Sequence, residues 1–431
     1  MQKRPGQRAT WIRFKSPLGH GFSTGERMFS AVLVRQVNGS GLACPAPAPQ
    51  RHNRHRRQSH SQLTARARPD ELTTLCQTLL VDEQPPRPTL PPGLREQLDL
   101  PSHEGLATFG KRPFVPDLEQ LDAWRPDAAV VGAPFDLSTT HRPGARFGPR
   151  ALRAQVYDPG TYALDVGLEL WDWLTVVDTG DAHCPHGQTE RSHDNIRARV
   201  REVARRGIVP IILGGDHSIT WPAATAVAQS LPEGQRLGIV HFDAHADTAD
   251  SLDGNLASHG TPMRRLIESD AVRGEHFVQV GLRGYWPPAE TWEWMREQGM
   301  RWHTMQDVWE RGLRAVMDDA VAQALDGADR LYVSVDIDVL DPGFAPATGT
   351  PEPGGLAPVD LLRIVRELGR RGEVVALDVV ELAPAYDNAD VTINNAHRVV
   401  LEMLTGMAAR KRDAAGGEVG PPARHSRQDE Q

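Results

Sequence analysis

The sequence predicts a three-layer α/β/α sandwich built on a doubly wound, mainly parallel sheet. Three observations predict it. Short β-branched runs recur from about residue 125. Amphipathic stretches lie between them, and strand alternating with helix implies a parallel sheet covered on both faces. Each run ends in a polar or glycine-rich turn, and ligands in such sheets bind beyond the carboxyl ends of the strands.

In chain order the runs are "DAAVVGAPFD", "LTVVDTGD", "IVPIILGGDHS", "RLGIVHFDAHAD", "HFVQVGLRG", "RLYVSVDID" and "VVALDVVEL". Their near-continuous apolar character is that of strands buried on both faces. The helical stretches include "HDNIRARVREVARRG", "MQDVWERGLRAVMDDAVAQAL" and "APVDLLRIVRELGRRG". In the last, Leu361, Leu362, Val365 and Leu368 recur at helical spacing, with Gly369 or Gly372 as the stop. We expect one catalytic domain over residues 101–411. Residues 1–100 lack sustained periodicity and read as a basic, Pro-rich extension and linker. Residues 412–431 read as a disordered tail.

Charge is uneven along the chain. The net value is -8, yet residues 1–69 carry about +12 and the rest about -20. The Arg/His run "PAPAPQRHNRHRRQSHSQ" has no interleaved aromatics, so it reads as a solvated tail, and no nucleic-acid partner is expected. No apolar run is long enough for a bilayer, so no membrane is expected either. Cys44, Cys76 and Cys184 show no disulfide framework and no metal spacing. That fits a reducing, cytoplasmic setting. An Arg-rich, acid-poor start also fits a transit peptide. The reading kept is an extension or an overlong start, with Met28 as a later candidate.

Three motifs carry chemistry. In "IVHFDAHAD", Asp243, His245 and Asp247 alternate with alanines, and in an extended chain such residues share one face. "SVDIDVLDP" repeats the device with Asp336 and Asp338. "GGDHS" places His217 after paired glycines that let backbones approach closely. So many acids together would raise one another's pKa values, and two divalent cations would remove that cost. With no thiolate present, Mn²⁺ is the first expectation, and Ni²⁺, Fe²⁺, Co²⁺ or Zn²⁺ stay open. Two ions about 3.5–4 Å apart can generate hydroxide near neutral pH. The bland alternative is that each Asp-x-His or Asp-x-Asp pair merely caps a turn. Asp216 competes with His217 as a ligand but reads as a turn or supporting residue.

These motifs resemble the three signatures of the ureohydrolase (arginase/agmatinase) family. "GAPFDLSTTHRPGARFGPRALR", "VDTGD", "TGTPEPGGL" and "DVVELAPAYD" resemble its agmatinase branch, and the likeness runs from about Val130 to Ala409. The resemblance implies an arginase-like fold, a two-Mn²⁺ site with nickel in some relatives, and cleavage of a guanidino group to urea and an amine. It implies one ion on His217, Asp243, Asp247 and Asp336, and a second on Asp243, His245, Asp336 and Asp338. It further implies catalytic roles for Glu381, His259 and Asp338. Glu381 would hold the guanidinium, a planar cation suited to a bidentate carboxylate. His259 would return a proton to the leaving amine. A homo-oligomer, trimer or hexamer, is expected from the same resemblance.

Substrate choice is less constrained. Thr248 and Ala249 do not reproduce the arginase pattern, so agmatine is the default. His183, His186, Tyr285, Trp286, Trp302 and His303 read as neighbours of the site, and aromatics there could box in a smaller guanidine by cation–π contact. Packing between helices or subunits is the other reading of those tryptophans. Guanidinobutyrate, other guanidino acids, guanidine and biguanides stay open. The rival classes are a single-metal deacetylase-like enzyme, a catalytically silent partner subunit and a two-metal phosphoesterase. All six ligand positions are filled, which disfavours the first two, and Glu381 would repel a phosphate.

Overall fold

The computed structural model describes residues 86–101, 103–155 and 161–417. The Arg/His run, Cys44, Cys76 and Met28 lie outside the described residues, as does the chain after residue 417.

Eight strands make one sheet: β1 (Ala128–Gly132), β2 (Val176–Asp181), β3 (Val209–Leu213), β4 (Leu237–Phe242), β5 (Phe277–Leu282), β6 (Arg301–Thr304), β7 (Arg330–Asp336) and β8 (Val374–Val380). Their order is β2-β1-β3-β8-β7-β4-β5-β6. Every pairing in it is parallel. The longer helices are α1 (Pro92–Asp99), α2 (Thr189–Ala204), α3 (Thr220–Ala228), α4 (Pro262–Glu268), α5 (Ala289–Glu297), α6 (Met305–Arg311), α7 (Leu313–Ala324), α8 (Pro358–Gly369) and α9 (Val391–Ala414). Successive strand residues feed opposite faces, as the pleat requires. Ala128 and Val130 join a core with α6 to α9, and Ala129 and Val131 join one with α2 to α5. The expected α/β/α sandwich is therefore observed.

Four neighbours at the sheet centre, β3, β8, β7 and β4, carry the motif residues at or just beyond their carboxyl ends. Residues far apart in sequence meet because later strands fill the gap between β3 and β4. The expected helix α8 buries Leu361, Val365 and Leu368, and Leu362 is partly buried. Each buried leucine or valine contributes about 1.5–3 kcal/mol. Gly369 is its last residue, and it is glycine for a packing reason: a Cβ there would lie 3.1 Å from the Gly406 Cα of α9. Two glycines thus set how closely α8 and α9 approach.

Several elements differ from expectation. The stretch 305–325 is two helices rather than one, because Gly312 takes φ 80 between them. Strand β6 has no counterpart among the seven runs. It is an edge strand paired only with β5 and half-buried, so it lacks the apolar run of the central strands. Helix α1 lies upstream of residue 101, in the stretch read as linker; Leu98 is buried and Leu90 packs on the core. At the other end α9 runs to Ala414, and Arg412, read as tail, is buried with Nη1 on the Val166 carbonyl.

Candidate metal centre

His217 follows β3 through Gly214 and Gly215, and a Cβ on Gly215 would collide with the Phe135 carbonyl. Asp336 is the last residue of β7, and Asp338 sits in the short 3-10 turn that follows. Strand β4 ends at Phe242, so Asp243, His245 and Asp247 do not share a face by strand alternation. A turn gathers them instead, and Asp247 takes the left-handed φ of 50. The capping reading also holds: Asp243 Oδ1 accepts the His245 amide at 2.6 Å, and Asp336 Oδ1 accepts the Asp338 amide at 2.9 Å. Capping uses one oxygen of each carboxylate and leaves the other facing the cluster. The alanine spacers are buried and lend backbone groups: the Ala244 amide donates to Asp338 Oδ1 at 3.2 Å.

The six residues converge in two groups. His217 Nδ1 lies 3.0 Å from Asp243 Oδ2, 3.1 Å from Asp247 Oδ2 and 3.1 Å from Asp336 Oδ2. His245 Nδ1 lies 3.1 Å from Asp338 Oδ2 and 3.6 Å from Asp243 Oδ1. Five of the six are buried, and His245 is partly exposed. Burial, then Asp338 and Asp243, push the Asp336 carboxyl well up; burial and Asp243 raise Asp338. Burial acts upward on Asp243 too, but His241, His217 and His245 hold it well below the usual range. Burial opposes charge on His245, and Asp338 and Asp243 outweigh it, raising that imidazole to about 12.

Hydrogen bonding tests whether a cation fits. His217 Nε2 lies 3.0 Å from Ser334 Oγ, and Ser334 Oγ donates to Asp378 Oδ1 at 2.7 Å. An ionised carboxylate accepts only, so the serine proton goes to Asp378 and Ser334 must accept from His217 Nε2–H. The other ring nitrogen, Nδ1, faces three carboxylate oxygens, which outweigh burial and raise the pKa of His217 well above its usual value. Nδ1 is buried without a hydrogen bond. Three carboxylates around one buried nitrogen call for positive charge there, which a proton on Nδ1 or a cation on its lone pair would supply. Candidate ligand atoms of Asp243, His245 and Asp338 likewise lie within 4.8 Å of one another. An N/O donor set of this kind suits a borderline or hard divalent ion.

The other expected residues adjoin this cluster. Asp216 stays outside it: its oxygens accept from Ser138 and Ser218, with hydroxyl contacts of 2.6 and 2.5 Å. Burial and then Glu381 raise its carboxyl to about 6. Glu381 follows β8 with a left-handed φ of 61 and is buried. Its Oε1 accepts the His217 amide at 2.8 Å and meets His259 Nδ1 at 3.1 Å. Its Oε2 is buried without a partner. A Cβ on Gly349 would lie 2.9 Å from that oxygen, so the glycine keeps a slot open beside it. Burial disfavours charge on His259, but Glu381 overrides it and raises the pKa to about 9. The Thr140 amide donates to Nε2 at 3.2 Å, which favours the neutral Nδ1–H form and opposes that charge.

Of the aromatic candidates, Trp286 comes near, its ring 6.3 Å from that of His245. It also lines a cavity of about 720 Å³ with Arg283, Tyr285, Trp292, Trp309 and Glu352, to which none of the six cluster residues contributes. Trp302 instead packs on Trp292 at 5.0 Å, and His303 meets Gln323 at 3.1 Å. Both belong to the edge strand β6. Tyr285, His183 and His186 are exposed. Sequence reasoning missed His241, Gln279, Ser334 and Asp378, all fully buried within strands. Their signal was available: each is a polar residue inside an apolar strand run, where burial demands a partner.

Comparison with known proteins identifies the family. Residues 126–406 match the arginase family. A guanidinobutyrase of Pseudomonas aeruginosa is 36% identical over 307 residues, 71% of this chain and 93% of that protein. A mitochondrial agmatinase of Gallus gallus is 39% identical over 279 residues, 64% of this chain and 80% of that protein. The solved structure of proclavaminate amidino hydrolase from Streptomyces clavuligerus superposes with TM-score 0.65 at 33% identity, covering 72% of this chain and 100% of that one. With the sheet order, the strand-end cluster and the sequence match in accord, the chain belongs to the arginase family of ureohydrolase enzymes.

Proposed function

We propose that this enzyme is a two-metal hydrolase that cleaves a guanidino compound to urea and an amine. The observation that carries it is the convergence of three carboxylate oxygens on His217 Nδ1 at 3.0–3.1 Å. His217, Asp243, Asp247 and Asp336 would hold one ion, and Asp243, His245, Asp336 and Asp338 the other. Two Mn²⁺ per chain is the first expectation, with Ni²⁺ or another divalent ion as the alternative. When bound, the ions would supply a hydroxide nucleophile near neutral pH and offset charge at the attacked carbon.

The chain's own groups do the rest. Glu381 presents Oε2, a buried acceptor with no partner, to a guanidinium N–H. Its Oε1 is already taken, so the two-oxygen grip expected from sequence narrows to one oxygen. His259 holds a proton on Nδ1 against Glu381 Oε1, and Thr140 meets the opposite nitrogen, Nε2, with its hydroxyl at 2.8 Å. We assign His259 to protonate the leaving amine.

Agmatine is the default substrate, and a guanidino acid is the second reading, favoured by the guanidinobutyrase likeness over 93% of that protein. A cytoplasmic homo-oligomer is part of the same reading. No helix among the described residues is long and apolar enough to cross a membrane. The test is urea release from agmatine, guanidinobutyrate, arginine, guanidine and a biguanide after loading with Mn²⁺ or Ni²⁺, beside a metal count per chain. Two ions and urea from one of these compounds support the proposal. One ion favours the deacetylase-like class, and no ions a silent subunit.

A further inference from the structure

His241 lies inside β4, fully buried, two residues before Asp243. Its Nε2 is 2.8 Å from Asp243 Oδ2, and its ring stands edge-on to His217 with centroids 4.8 Å apart. By proximity it could be a seventh ligand, since candidate ligand atoms of His217, His241 and Asp243 lie within 4.8 Å of one another. Hydrogen bonding decides otherwise.

Gln279 of β5 is fully buried beside it. The Gln279 side-chain nitrogen lies 2.6 Å from the Ala246 carbonyl oxygen and 2.9 Å from His241 Nδ1. A carbonyl only accepts, so the atom facing Ala246 must be the NH₂ group. Turning the amide over would set Oε1 against that carbonyl. The second amide hydrogen then points at His241 Nδ1, which must be bare. A neutral imidazole with a bare Nδ1 carries its proton on Nε2, facing Asp243. That proton blocks coordination through Nε2, and the Gln279 amide blocks it through Nδ1.

The same bonds divide the Asp243 carboxylate evenly. Oδ1 accepts the His245 amide, and Oδ2 accepts His241 Nε2–H. A carboxylate offers about four lone-pair directions. Two are used by the protein, one on each oxygen, and one on each oxygen is left.

We propose that Ala246, Gln279 and His241 form a positioning relay that fixes the Asp243 carboxylate to bridge two cations and keeps His241 itself out of the ligand set. The proposal rests on the two-metal reading above. Its role is to aim a ligand, so it acts on both ions at once.

The test uses the full chain, with Mn²⁺ affinity read by chelator competition and the His241 tautomer read by ¹⁵N NMR of the metal-free protein. The wild type should show an Nε2–H tautomer. His241→Phe keeps a ring of similar breadth but removes the donor, and it should weaken both ions by about 10- to 100-fold. Gln279→Leu leaves the imidazole in place but frees its tautomer, so it should weaken both ions by less. Gln279→Glu puts an acceptor opposite Nδ1 and should move the proton there. The relay is refuted by an Nδ1–H tautomer in the wild type, or by wild-type affinity in His241→Phe with the fold intact. It is refuted equally if His241→Phe loses one ion outright while Gln279→Leu loses nothing, which would make His241 a ligand. If His241→Phe does not fold, the two Gln279 variants and the wild-type tautomer decide. A wild-type chain that takes up no Mn²⁺ pair sinks the two-metal reading instead, and the relay with it.

Discussion

Two tiers of polar residues occupy the central strands, and they are built on opposite terms. The lower tier lies within the strands. There Asp378 accepts from Thr220 and Tyr332 at 2.7 Å each and from Ser334 at 2.7 Å, so three hydroxyls surround one carboxylate. The upper tier lies at and beyond the strand ends. There three carboxylates crowd the unbonded Nδ1 of His217, and Glu381 Oε2 has no donor. Buried polar groups are tolerated in the lower tier because they satisfy one another. The upper tier, His245 apart, is as buried and is unbalanced, as the proposed two-metal site would be before cations enter. The lower tier aims it: Ser334 accepts from His217 Nε2, and Gln279 fixes the tautomer with which His241 meets Asp243.

The comparison breaks first at Asp243, where the largest effect is expected. Its carboxylate is shared between both groups, so Asp243→Ala should lose the ion pair and abolish urea release. The sheet should survive, because the upper tier contributes little to the core. Metal content and circular dichroism measured together check this. Two retained ions with a near-native rate would dissolve the distinction between tiers.

Glu381→Gln comes next. The change is nearly isosteric but removes the charge beside the guanidinium slot. Losing a charged hydrogen-bonding partner in a desolvated site costs about 2–5 kcal/mol, so kcat/KM should fall roughly 30- to several-thousand-fold. The ions should stay. Metal loss in this variant would move Glu381 from the substrate side to the ligand set.

How much of this was legible follows the same division. The upper tier was read from sequence because Asp-x-His-x-Asp and Asp-x-Asp after apolar runs are visible as patterns. The reason given for their convergence was incomplete: a turn after Phe242, not strand alternation, brings Asp243, His245 and Asp247 together. The lower tier is not a pattern. His241, Gln279, Ser334 and Asp378 lie on four different strands, and only the sheet order β8-β7-β4-β5 makes them neighbours. Strands with strong apolar runs were found, and the half-buried edge strand β6 was not, because an edge lacks the burial that writes such a run. Local composition likewise concealed α1, a short polar helix held by Leu98.

A buried polar residue belonging to neither tier gives the third prediction. His397 of α9 is buried and lies against Phe109, ring centroids 4.6 Å apart. Burial, then Arg398, lowers its pKa from 6.5 to about 4. The unfolded chain therefore takes up a proton that the folded chain refuses. Stability is full above pH 6.5, falls as pH drops toward 4, and has then lost about 3 kcal/mol from this group at most. His397→Leu should flatten that part of the pH–stability curve in urea unfolding. An unchanged slope would show that His397 is protonated in the fold.

Asp378→Asn tests the lower tier directly, and a smaller cost is expected. The amide keeps the shape but presents a donor where three hydroxyl donors converge. One buried hydroxyl must turn away, which costs about 1–3 kcal/mol in unfolding free energy. Through Ser334 it should also loosen the His217 tautomer and weaken metal binding, by less than Asp243→Ala does. Full stability with reduced metal affinity would assign Asp378 to the site alone.

The smallest effect is expected at the amino terminus, where the comparison is between two truncations. Every residue assigned to the site lies between Ser138 and Glu381, so removing residues 1–85 should leave kcat within a few-fold. Removing residues 1–100 is different. It deletes helix α1, the buried Leu98 and the contact of Leu90 with the core. Burying one leucine contributes about 1.5–3 kcal/mol, so the longer deletion should lower the unfolding midpoint while kcat per folded chain holds. Metal content should match the wild type in both. Equal stability of the two truncated chains would show that α1 adds nothing to the domain. Loss of metal or of kcat in the shorter deletion would place residues 1–85 among the determinants of the site, beyond the bonds found among the described residues.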